Sequence, residues 1–132
     1  MESRKDVAAL VGRVLLALMF VLAGYGKITA YDGTAGFMAS TGVPMVGVLL
    51  PLTILVELGG GIAVIVGWRT RWAALLLAAF TLLASMVFHN FWAMTGDAVM
   101  TNMLFFYKNV AVIGGLLMVF AFGSGRLSVD RG

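Results

Sequence analysis

A chain of 132 residues that is 61% hydrophobic and only 11% charged, with a mean hydropathy of +1.02, cannot cover a water-facing surface, where about a quarter of residues are usually charged. Lipid must be its solvent. The net charge of +3 comes from scattered basic residues, a pattern that argues against nucleic-acid binding. Absence of cysteine excludes disulfides and thiolate metal sites, and a single histidine, His89, excludes bis-histidine haem ligation within one copy.

Crossing a ~30 Å hydrocarbon core takes about 20 mostly apolar residues. Four segments meet that length, at roughly residues 7–26, 45–66, 72–92 and 103–122. They predict an all-α membrane protein: a four-transmembrane-helix bundle forming one domain over residues 1–132. Arg4 and Lys5 before the first apolar run imitate a signal peptide, but Arg13 interrupts that run and no small-x-small cleavage site follows. A retained signal anchor is expected.

The first connection, residues 28–43, is the longest. Asp32 is placed to cap a short interfacial helix holding Phe37 and Met38, ending near Gly42 before Pro44 opens the second span. Its position at the outer mouth also fits a lid. Within the second span, Pro51 predicts a kink that frees the carbonyl of Gly47. Gly59-Gly60-Gly61, and Gly114-Gly115 in the fourth span, predict close helix approach. The second connection is Gly67-Trp68-Arg69-Thr70-Arg71, and Thr95-Gly96-Asp97 marks the third.

Orientation follows from basic residues near span ends. The amino terminus, second connection and carboxyl tail hold Arg4, Lys5, Arg69, Arg71, Arg126 and Arg131, whereas the first and third connections hold only Lys27. Both termini are therefore expected in the cytoplasm. Trp68, Trp72 and Trp92 fall at span ends, where such rings settle at the headgroups.

Three charges, Arg13, Glu57 and Lys108, fall inside the spans. Each costs ~2.5–3.5 kcal/mol near a helix centre, so such residues face the bundle interior and pair. At 1.5 Å per residue, Arg13 lies about 9 Å from the cytoplasmic side and Glu57 about 13 Å, which predicts an ion pair between them. Lys108 lies about 21 Å deep beside Asn109, and His89 about 25 Å. Arg13, Phe20, Gly24 and Lys27 share one helical stripe, as do Thr81, Ser85 and His89. The expected polar cluster is Arg13, Glu57, Lys108, Asn109 and His89, with Lys27 at the outer mouth. Its excess of donors wants an acceptor, such as a quinone carbonyl or a small anion.

The run from Arg13-Val14-Leu15-Leu16 through Phe20 and Gly24-Tyr25-Gly26-Lys27 resembles the opening motif of DoxX-like membrane proteins. So do Gly42-Val43-Pro44, Glu57-Leu58-Gly59-Gly60, Gly67-Trp68-Arg69-Thr70-Arg71, Phe88-His89 and Lys108-Asn109 with Gly114-Gly115. The resemblance implies a four-helix protein of the bacterial inner membrane. It further implies an accessory or quinone-interacting subunit of a membrane redox system, with no covalent cofactor. Catalysis would then reside in a redox enzyme partner. A non-catalytic scaffold is the alternative, followed by a small permease acting as a homo-oligomer.

Overall fold

A computed structural model describes residues 2–132, all of them helical or irregular. Five α-helices follow one another: α1 (Glu2–Thr29), α2 (Tyr31–Ser40), α3 (Val46–Val66), α4 (Thr70–Phe88) and α5 (Asp97–Phe122). Helices α1, α3, α4 and α5 are each long and apolar enough to cross a membrane. Helix α2 is the short helix expected between the first two spans. Asp32 lies in its first turn but makes no capping bond, because the helix starts earlier, with Ala30 at the cap position.

The long helices alternate in direction, so α1 packs against α3, α3 against α4, and α4 against α5, while α1 and α5 touch only briefly. Both chain ends meet at one end of the bundle, the terminal end, where Gly125 of the tail packs on Ala9. The opposite, or loop, end carries α2 and the turn between α4 and α5.

Backbone conformation explains where helices stop. Gly67 ends α3 at φ 75°, and its N–H returns to Ala63 O at 2.9 Å, an αL ending that suits glycine. Gly96, at φ 70°, turns the chain into α5. That helix begins six residues before the expected residue 103, with Asp97 at its positive end. Helix α4 stops at Phe88 instead of continuing to residue 92, and a single 3₁₀ turn, Phe91–Ala93, follows His89 and Asn90. Helix α3 continues through Pro51.

Packing is tight where side chains are small, as expected when lipid supplies no hydrophobic drive between helices. A methyl on Gly24 would meet Leu58 Cγ at 2.7 Å, and one on Gly61 would meet Val21 Cγ2 at 2.9 Å and Ala17 O at 3.3 Å. These contacts set the offset between α1 and α3. Gly60 serves α4 in the same way, through Leu77 at 3.0 Å. Gly59 and Gly114, by contrast, face open space, and Gly115 meets Leu16 only at ordinary distance. The interior is small, built on Ala17, Phe20, Val64, Ala74, Leu77, Ala78 and Leu116. Large apolar side chains such as Leu15, Leu22, Leu55 and Met118 point outward, the arrangement a lipid solvent permits.

Candidate functional site

The α1–α3 offset decides which charges meet. Gly24 faces Leu58 and Gly61 faces Ala17, so Glu57 stands level with the last turns of α1. Arg13 lies eleven residues back from Gly24, about 16 Å along the helix. The expected Arg13–Glu57 pair does not form. Helix α1 begins at Glu2 and reaches beyond its partners, so Arg13 sits at the end of α3 and not within its span.

Both residues are nevertheless buried and engaged. Arg13 is 2% exposed and donates from Nε to Val64 O at 3.0 Å. Its Nη2 reaches Ile65 O at 3.1 Å and Leu127 O at 3.0 Å, and Nη1 bonds Ser124 O. A helix leaves its last four carbonyls without intrahelical donors. Here Ala63 O receives Gly67 and Trp68 N–H, Val64 and Ile65 receive Arg13, and Val66 O receives Val129 N–H at 3.0 Å. A cation at the negative end of α3 also complements its dipole. Arg13 thus joins the end of α3 to the tail.

The tail completes α4 as well. Asp130 accepts from Arg69 N–H at 2.9 Å, Thr70 N–H at 2.8 Å and Thr70 Oγ1 at 2.7 Å, acting as an N-cap supplied from sixty residues away. The Thr70 N–H above all, then the Thr70 hydroxyl and Arg69 N–H, hold this carboxyl below its usual range.

The remaining singled-out residues gather elsewhere. Lys27, Glu57, His89, Lys108 and Asn109 all line one cavity of about 560 Å³ near the loop end, a volume within the ~300–1,000 Å³ range of small-molecule sites. Apolar side chains from every long helix except α5 form most of its wall, among them Phe20, Leu52, Phe80 and Leu83. Thr34, Phe37 and Met38 of α2 contribute a roof, with the Phe37 ring 5.7 Å from that of Phe88.

Lys27 Nζ lies 2.7 Å from Glu57 Oε1. Apart from that ammonium, no donor among the described residues reaches this buried oxygen. On α4 the hydroxyls turn back onto their own helix: Thr81 Oγ1 donates to Leu77 O and Ser85 Oγ to Thr81 O, while Asn109 Nδ2 of α5 donates to Ser85 Oγ at 2.8 Å. His89 Nδ1 is 2.9 Å from Asn102 Oδ1. The Asn102 amide nitrogen donates to Ala98 O, so its oxygen must accept, and the imidazole proton sits on Nδ1. Nε2 is left as an acceptor. Lys108 is exposed, forms no ion pair among the described residues, and lies 5.5 Å over the Phe105 ring. Asn102 escaped the sequence reading because it precedes the expected start of the fourth span. Among the described residues no group of three His, Asp or Glu is placed to hold a metal.

The DoxX family model matches residues 8–90, a segment holding Arg13, Lys27, Glu57 and His89 but not Lys108. The chain is 45% identical over 131 residues to inner membrane protein YqjF of Escherichia coli, covering 99% of this chain and 95% of that protein. It is 36% identical over 127 residues to inner membrane protein YphA of the same organism, with coverage of 96% and 91%. ER-derived vesicles protein ERV29 of Saccharomyces cerevisiae is 25% identical over 130 residues, which is 98% of this chain and 35% of that protein. No solved structure matches the chain.

Proposed function

This chain belongs to the DoxX family of integral inner-membrane proteins, and from that premise we propose that it is an accessory subunit of a membrane redox system that binds quinone in the loop-end cavity. Both termini are cytoplasmic in this reading, which rests on the basic residues gathered at the terminal end, and the cavity lies in the outer half of the bilayer. One observation carries the ligand assignment: a mostly apolar pocket, open at the edge where Leu52 and Leu83 are exposed, draws a few polar groups from four membrane-crossing helices. A flat ring with oxygens at two edges and an apolar tail matches that distribution, because the walls take the carbon skeleton and only the edges need partners. The uncommitted Lys108 ammonium supplies a charge-assisted donor to a carbonyl oxygen. Electron transfer belongs to the partner enzyme, and this chain holds the membrane-dissolved substrate beside it.

Purification in mild detergent followed by lipid extraction should recover quinone with the protein. A short-chain quinone added to stripped protein should bind saturably, and Lys108→Met should raise its dissociation constant roughly tenfold, the loss of one charged hydrogen bond. Failure to recover quinone together with non-saturable binding would overturn the reading.

A further inference from the structure

The walls of the loop-end cavity are not equally closed. On α1 the lining residue Phe20 is buried, and Met38 is buried under the α2 roof. Towards the terminal end α3 and α4 come together, where a methyl on Gly60 would meet Leu77 Cδ2 at 3.0 Å. About one turn beyond that contact, each helix lines the cavity with a row, Leu49, Leu52 and Val56 on α3 and Phe80, Leu83 and Val87 on α4. Spacings of three and seven keep each row on a single helical face. Six lining residues are exposed, and four of them, Leu49, Leu52, Leu83 and Val87, belong to these rows; the others are Phe37 of α2 and Lys108 of α5. A side chain that lines a cavity and is also exposed, as Leu52 is by 49% and Leu83 by 65%, stands on its rim. This rim is apolar and both its helices cross the membrane. What it faces is acyl chain.

A cavity of about 560 Å³ suits a ring and its substituents. A chain that reaches the bilayer centre spans ~15 Å, half of the ~30 Å hydrocarbon core, and has no room beside that ring. Building on the quinone reading, we infer that the opening between α3 and α4 is the tail site of the cavity. The ligand enters sideways from the bilayer, ring first, and its apolar chain stays between Leu52 and Leu83. The bundle is arranged for such an amphiphile. Lys27 and Lys108 come from α1 and α5, the helices across the bundle from the opening, so the polar edge of the ring and its chain point opposite ways. The α2 side leads to the loops, and Lys108 sets a charge at the remaining exposed edge. Neither receives a hydrocarbon chain. Seven residues from Leu49 to Val56 give the rim a length of about 10 Å, enough to hold the first part of the chain and so to fix the direction of the ring.

The test uses the full chain in detergent with two probes: a benzoquinone carrying a decyl chain tipped with a photoreactive diazirine, and the same benzoquinone without the chain. Illumination of the tailed probe should label the rim residues of α3 and α4, and an excess of the tailless quinone should suppress that label. Suppressible label on α2 or α5 instead would overturn the tail site. Leu52→Trp combined with Leu83→Trp narrows the opening from two outward-facing positions. It should weaken the tailed probe roughly tenfold more than the tailless one, the usual cost of an overpacked contact. Leu55→Trp, exposed on α3 but outside the cavity lining, should alter neither. An equal loss for both probes, or none for the tailed one, would overturn the tail site while leaving quinone binding standing. If neither probe binds the parent protein saturably, both readings fall.

Discussion

The two ends of this bundle each bury a charge, yet they treat it in opposite ways. At the terminal end, Arg13 is matched by backbone carbonyls from α3 and the tail. At the loop end, Glu57 has a single ammonium as its partner, and open volume in front of it. A buried charge whose valences are filled by the protein holds the fold together. One that keeps unfilled valences beside a cavity is available to something else. Burial alone does not separate the two, since Arg13 is 2% exposed and Glu57 4%.

The sharpest way to break this comparison is Arg13→Leu. Each buried carbonyl left without a donor costs ~1–3 kcal/mol, and the change strands those of Val64 and Ile65 as well as two from the tail. A loss of at least about 3 kcal/mol is expected, read as poor accumulation in the membrane and early thermal unfolding in detergent. A variant as stable as the parent would show that the clamp is idle.

Glu57→Gln should do the reverse. It preserves volume, and Lys27 is 28% exposed in the last turn of α1, so its ammonium can extend towards the headgroups once released. Thermal stability should change by about 1 kcal/mol or less. Equal collapse of both variants would erase the distinction between the ends.

Most of the architecture was legible because spans announce themselves by length and apolarity, and Gly67 and Gly96 punctuate them where φ is positive. The polar residues lining the cavity were legible as charges and amides out of place in lipid. The partner of Arg13 was not. It depends on the offset between α1 and α3, which arises from Gly24 against Leu58 and Gly61 against Ala17, contacts that no single residue encodes. Its true acceptors are carbonyls, which every residue carries, so no side-chain pattern could point to Ser124 or Leu127. The commitment of His89 was hidden for a related reason, since Asn102 lies in helical turns that looked like loop.

The tail offers the mildest test, because Arg13 continues to hold Ser124 and Leu127 when Asp130 lets go. Asp130 caps α4 as a carboxylate, and its folded pKa lies below the ordinary value. A depressed carboxyl pKa gives stability that is fully present above the unfolded value of ~3.9 and is lost as pH falls through the folded one. Docking of the tail should therefore be constant from neutral pH to about 5 and weaken only below about 4. The amides of Val129 and Asp130, bonded to Val66 O and Gly67 O, report it by hydrogen exchange, once the intrinsic pH dependence of exchange is divided out. Asp130→Asn should mimic the acid state at pH 7, with exchange of these amides roughly fivefold faster, the loss of one helix cap. Protection that declines instead between pH 8 and 5 would assign the docking to a different group, and would leave Asp130 a bystander at the end that is otherwise sealed.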